Sequence, residues 1–330
     1  MSTARSRQPR VRNKAPKRAA TVGYPFLHDS QPLFCHNGRT MSLRIVLCLL
    51  ALVSARPLSN AQIAPPAILE IYRDPVKPAK MAEYSRLEGE AAVACARAST
   101  WPYLAIQTIS GPQTEVWYME GFESYGAVER SGEPFVKNAA LSGELSRLME
   151  AKTNLVGESR VIFAHYRDDL SSSVGLVQPR TRFFIVNLVT VRSGHEREFE
   201  EIHRTLRSVR QRASAADNRV IYQVVSGMAK NTYLIFSAYQ TLQIAGSALD
   251  PPVEDYTGEV DDSTRSRLDE DSRVAITSSE AWVFSVNPQI SNPAGEWIVE
   301  DPGFWRSSPA LQQRQAAPRK SAETPRPTHN

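Results

Sequence analysis

Two stretches decide the fold: VKPAKMAEY at Val76–Tyr84 and VRSGHEREF at Val191–Phe199, which align at a separation of 115 residues. Three more matches follow in the same order. LAIQTISG (Leu104–Gly111) pairs with VIYQVVSG (Val220–Gly227) at 116, and EVWYMEGF (Glu115–Phe122) pairs with NTYLIFSAY (Asn231–Tyr239) at 116 to 117. ESRVIFAHY (Glu158–Tyr166) pairs with SSEAWVFSV (Ser278–Val286) at 120. Each match alone is weak. Four in one order, with a separation that drifts only as small loop insertions would make it, mark an internal duplication.

Read once, the repeated unit is strand, helix, strand, strand, helix, strand. Ile68–Tyr72 and Phe183–Val191 are apolar runs rich in β-branched and aromatic residues, as buried strands are. In the second copy Phe199, Ile202, Leu206 and Val209 recur at helical spacing after the Ser193-Gly194 break; Met81, Tyr84, Leu87 and Ala91 do the same in the first. Strands two and three join through Ser110-Gly111-Pro112 and through Ser226-Gly227, where glycine suits a turn. The second helix of copy one is predicted at 124–130 and 139–152. Its counterpart is less clear, because Asp250–Asp271 is acidic and proline-interrupted and reads as a solvated loop.

This βαββαβ order is the ferredoxin-like motif. The predicted class is α+β: two tandem ferredoxin-like units packed sheet to sheet as an intramolecular barrel, so that each covers the bare face of the other. Repeat 1 is placed at 62–170, a linker at 171–180, and repeat 2 at 181–290. A C-terminal extension, 291–330, is expected to be disordered after about 305, where it becomes proline-rich and polar.

Two helix starts carry a resemblance. The V-x-x-G-x-x-x-x-F pattern of Val191–Phe199 and the aromatic-Glu-Ser-Tyr of Phe122–Tyr125 resemble the dimeric α+β barrel superfamily, which includes NIPSNAP-like proteins and antibiotic-biosynthesis-type monooxygenases. The resemblance spans about residues 66–290. Copy one departs from it in having Pro78-Ala79 where copy two has Ser193-Gly194. It implies a fold rather than an activity, since such members range from cofactor-free oxygenases to haem enzymes.

The net charge of +4 comes from one end. Residues 1–61 hold ten of the 39 basic residues and one of the 35 acidic ones, which leaves 29 basic against 34 acidic, about −5, for the rest. Such a body lacks the basic footprint of a nucleic-acid binder. From Met41 the chain reads MSLR, the apolar run Ile45–Val53, then SARPLSNAQ: a signal peptide at 41–61 with cleavage near Ala61. Export to the periplasm or medium is therefore expected, with residues 1–40 a non-native or disordered leader. The apolar run is shorter than the roughly 20 residues of a membrane span. Cys35 and Cys48 fall before the cleavage point, which leaves Cys95, in the small-residue run AAVACARA, as a buried hydrophobe.

No nucleophile elbow, phosphate-binding loop or paired-cysteine motif is present. His165, at the end of an alternating strand, and His195, at a helix start, are the candidate catalytic groups. His195 would also be the haem ligand if haem were bound; the expectation is no cofactor. Glu196, Glu200 and His203 stand at i, i+4 and i+7 and could share a metal, although a solvated charged face explains them as well. Gln107 and Gln223 are polar in apolar strands at equivalent positions. They could pair across the interface of the halves, or anchor a ligand against Trp117, Tyr222 and Tyr233. The leading expectation is an exported barrel that binds a small apolar ligand or a protein partner. The alternative is a monooxygenase-like oxidoreductase, cofactor-free or haem-dependent.

Overall fold

The computed structural model describes residues 65–172, 179–212, 218–249 and 260–305, all within one unit spanning 61–330. The expected leader and signal peptide, most of the expected linker and the residues beyond Trp305 lie outside the described residues. The first half runs β1 (Ile68–Pro75), α1 (Met81–Arg97), β2 (Leu104–Ser110), β3 (Glu115–Phe122), α2 (Tyr125–Ser131), α3 (Glu133–Lys137), α4 (Ala139–Lys152) and β4 (Arg160–Tyr166). The second runs β5 (Phe183–Val191), α5 (Glu196–Arg212), β6 (Arg219–Ser226), β7 (Thr232–Tyr239), α6 (Leu242–Leu249), α7 (Asp262–Ala275) and β8 (Ile276–Val286). Two short helices, α8 (Gly295–Glu300) and α9 (Pro302–Trp305), follow.

The eight strands close into one antiparallel barrel in the order β1-β3-β2-β8-β5-β7-β6-β4. Each half contributes a four-stranded ferredoxin-like sheet, β4-β1-β3-β2 and β8-β5-β7-β6. The halves meet edge to edge: β2 pairs with β8, Ile106 opposite Val286, and β4 with β6, Tyr166 opposite Tyr222. Closure leaves no sheet edge unpaired. The duplication is thus one barrel, the architecture that the resemblance implies.

Side chains alternate along a strand, so every strand divides its residues between the barrel interior and the helix-covered outside. Inside, Leu69, Ile71 and Trp117 of the first half pack with Phe184, Tyr222 and Phe284 of the second. Outside, two separate cores form under the helices. Tyr84, Leu87, Tyr118 and Leu148 pack in the first half; Val189, Phe199, Tyr233 and Ile235 pack in the second. β5 is buried on both faces, which explains its unbroken apolar run. The C-terminal helices join the interior core through Trp305, which stacks on Trp297. Arg182, just ahead of β5, holds them by an ion pair to Asp301.

The equivalence of the halves reaches the backbone. Gly194 ahead of α5 has φ +89°, and Ala79, its counterpart ahead of α1, has φ +63°. One expectation is overturned. Asp262–Asp271 is not a loop but most of α7, started by Asp261, whose carboxylate accepts from the Thr264 amide at 2.9 Å. The prolines Pro251 and Pro252 precede this helix and do not interrupt it.

Candidate functional site

A cavity of about 400 Å3 lies between the outer face of β1 and β3 and the helices of the first half. α1 walls it with Leu87 and Ala91, α2 and α3 with Val128 and Phe135, and α4 with Leu148 and Met149. Alternation on β1 turns Glu70, Tyr72 and Asp74 to this side, and on β3 it turns Tyr118 and Glu120. Trp101 and Tyr103, between α1 and β2, complete an aromatic border.

The strand register sets Glu70 directly opposite Glu120. Direct neighbours in an antiparallel pair have Cβ atoms about 5 Å apart, and like charges there repel. Glu70 is buried. Burial raises its carboxyl above the usual range, tempered by a hydrogen bond from the Tyr72 hydroxyl. Burial, and then the neighbouring Glu70, push Glu120 up to about 8. The pair therefore holds a proton at neutral pH.

The other two acids of the cavity share one ammonium. Lys152 Nζ lies 2.9 Å from Asp74 Oδ2 and 2.7 Å from Glu88 Oε1. Asp74 also accepts from the Tyr84 hydroxyl at 2.8 Å and the Ser159 hydroxyl at 2.5 Å. Burial would lift the Asp74 carboxyl, but Lys152 and these hydrogen bonds hold it below its ordinary value. Burial opposes the Lys152 charge, and Glu88 and Asp74 more than offset that. Cys95, also facing the cavity, has its thiol pushed by burial to about 11, so it stays protonated.

The residues singled out in the sequence are scattered. Trp117 and Tyr222 point into the barrel interior: Trp117 Nε1 donates to Glu115 at 2.8 Å, and the Tyr222 hydroxyl donates to the Pro66 carbonyl at 3.0 Å. Tyr233 is on the other face of its sheet, its ring 4.4 Å from that of Phe199. The three do not form one wall. Gln107 accepts from Asn287 at 3.4 Å and Gln223 from Arg167 at 2.9 Å, so each amide oxygen is met by a residue of the opposite half. His165 bonds Tyr125 through Nε2 at 2.8 Å.

Glu196, Glu200 and His203 do not converge either. Glu196 accepts from the Gly194 amide at 2.9 Å, Glu200 pairs with Arg167 and Arg204 at 2.7 and 2.9 Å, and His203 packs against Phe199 at 4.5 Å. Among the described residues no cluster of three or more His, Cys, Asp or Glu is arranged to hold a metal ion. A histidine-held haem does not fit the cavity, whose lining includes no histidine. His195 stands in the second half, 3.3 Å from Glu198, and Phe199, Tyr233 and His203 fill the space beneath α5.

The sequence reading missed Glu70 and Glu120. A signal existed: each is a carboxylate within an apolar strand, ILEIY and VWYMEGF. Their register counterparts in the second half are Ile185 and Ser237, and Ile185 packs with Ala245 and Val283. A charge present in one copy and absent from the other is harder to read as a need of the fold.

No protein-family profile and no curated protein matches the chain. Solved structures do. A proposed monooxygenase from Fusobacterium nucleatum subsp. nucleatum is similar at 15% identity and a TM-score of 0.44, over 68% of this chain and 93% of that one. An anthrone oxidase-like protein is similar at 12% and 0.43, over 67% and 92%. A chlorite dismutase variant from Candidatus Nitrospira defluvii is similar at 5% and 0.42, over 72% and 96%. Likenesses this distant carry no argument about chemistry, which has to come from the side chains of this chain.

Proposed function

We propose that this chain is a small-molecule-binding α+β barrel whose working site is the cavity of the first half. The observation that supports it is the cavity itself, about 400 Å3 with a largely apolar and aromatic border and a few converging polar groups, as ligand sites are built. A neutral, environment-sensitive dye such as N-phenyl-1-naphthylamine should be taken up saturably at one per chain. An Ala91→Trp variant, which sets an indole in the cavity, should lose that uptake while keeping its circular dichroism. Undiminished uptake by the folded variant would place the site elsewhere.

A second reading is favoured by Glu120. A carboxyl raised to about 8 can take or give a proton near neutral pH, as general acid–base chemistry requires. In a cofactor-free oxidoreductase such a group would remove a proton from the bound molecule before it gives electrons to dioxygen. Oxygen uptake with a flat phenolic substrate, lost in Glu120→Gln, would support this; equal uptake by wild type and variant would rule it out. Export belongs to the same proposal: the exported form should begin near Gln62, and recovery of the intact leader on cytoplasmic protein would contradict it. Among the described residues no helix is long and apolar enough to cross a membrane.

A further inference from the structure

We infer that the first-half cavity recognises an organic cation, a compact amine with a flat apolar body, whose charge is met by Glu70 and Glu120. The inference rests on the cavity being the ligand site and goes on to the class of ligand. Four carboxylates border the cavity, Glu70, Asp74, Glu88 and Glu120, against one ammonium, Lys152. Lys152 is engaged by Asp74 and Glu88. The Tyr72 hydroxyl donates to Glu70, but no described residue forms an ion pair with Glu70 or Glu120, so no cation of the described chain meets them. Two carboxylates fixed opposite each other by strand register, in a partly closed apolar space, repel until a proton or another cation lies between them. At neutral pH Glu120 keeps its proton, which relieves that repulsion.

The border suits the rest of such a ligand. Trp101, Tyr103, Tyr118 and Phe135 line the cavity, and aromatic rings attract ammonium groups. An anion would be repelled by the acidic pair, and a neutral molecule would leave Glu120 protonated. The second half carries Ile185 and Ser237 at the matching positions, so the carboxylate pair is no requirement of the barrel.

Cation binding is then linked to proton release. The other titratable groups facing the cavity are Tyr72 and Asp74 on β1, Tyr118 on β3, Glu88 and Cys95 on α1, Tyr103 ahead of β2, and Lys152 on α4. Burial keeps the tyrosines and the thiol protonated through neutral pH, and the ion pairs keep Asp74 and Lys152 charged. The Glu70–Glu120 pair is what changes.

The test is calorimetric titration of the full chain at about pH 7 with three probes of matched shape: 2-naphthylmethylamine, 2-naphthylmethanol and 2-naphthoate. The amine should bind at least about tenfold tighter than the alcohol, and the carboxylate weakest. Its affinity should climb by up to about tenfold per pH unit from pH 6 and level off near 8, while that of the alcohol does not climb. A Glu70→Gln/Glu120→Gln double variant should bind alcohol and amine alike. If the wild type prefers the alcohol or binds both equally, the cation inference falls while the cavity remains a ligand site. If none of the three binds, the cavity reading itself falls and this inference with it.

Discussion

Glu120 gives the stability of the chain an unusual pH dependence. Folded, its carboxyl keeps a proton up to about pH 8; unfolded, it releases it near 4.5. Between those values the folded state binds more protons, so stability falls as pH rises, by at most about 1.4 kcal/mol per unit. Asp74 works the other way. Its depressed carboxyl contributes stability above the unfolded value of 3.8, and that is lost as pH falls through its folded value. Urea unfolding at about pH 5 and pH 8 separates the two: Glu120→Gln should match the wild type at the lower pH and exceed it at the higher. A variant that is less stable at both would sink this reading of Glu120. Lys152→Met should cost about 3 kcal/mol or more at neutral pH, because it leaves Asp74 and Glu88 partly buried without their cation. At this scale the sequence was least informative. Histidines and glutamines attracted notice by type, whereas Glu70 and Glu120 matter because of the residue each faces across a ladder.

Two turns set the elements in place. Gly227, between β6 and β7, has φ +85°, and a Cβ there would come 2.0 Å from the Val161 carbonyl oxygen on β4. Gly227→Ala should therefore cost more than the roughly 1–2 kcal/mol of a left-handed alanine alone and loosen the β4–β6 seam. Ala79 already bears that cost, at φ +63° where its counterpart is a glycine. Ala79→Gly should be neutral or stabilise by up to about 1 kcal/mol in chemical denaturation. A destabilisation of that size would show that Ala79 is held by something other than its turn. Strands and first helices were legible because their apolar periods are strong, as in Phe183–Val191 and Phe199–Val209. α7 was not: an acidic helix shows no apolar stripe, and its start is set by the side chain of Asp261.

Closure of the barrel makes the halves interdependent. A fragment of residues 62–170 would expose the edges of β2 and β4 and an apolar inner face bearing Leu69, Ile71 and Trp117. It should dimerise or aggregate, whereas residues 62–305 should unfold in one cooperative step. A monomeric half with the stability of the whole, by size exclusion and denaturation, would contradict the observed edge pairing. The duplication was legible because separation and order survive in the letters. The edge-to-edge seams were not, because they join strands more than 50 residues apart and leave only indirect traces, Gln107 and Gln223 among them.

Both halves of the barrel belong to a single chain. In a barrel built of two identical subunits, any substitution appears twice, and a change that suits one side is imposed on the other. A covalent tandem is free of that coupling. Glu70 and Glu120 can stand on one side while Ile185 and Ser237 fill the other, so a specialised half and a scaffolding half can coexist. The pseudo-symmetry is retained in the backbone and abandoned in the chemistry, so the eight-stranded barrel carries its buried carboxylate pair once instead of twice.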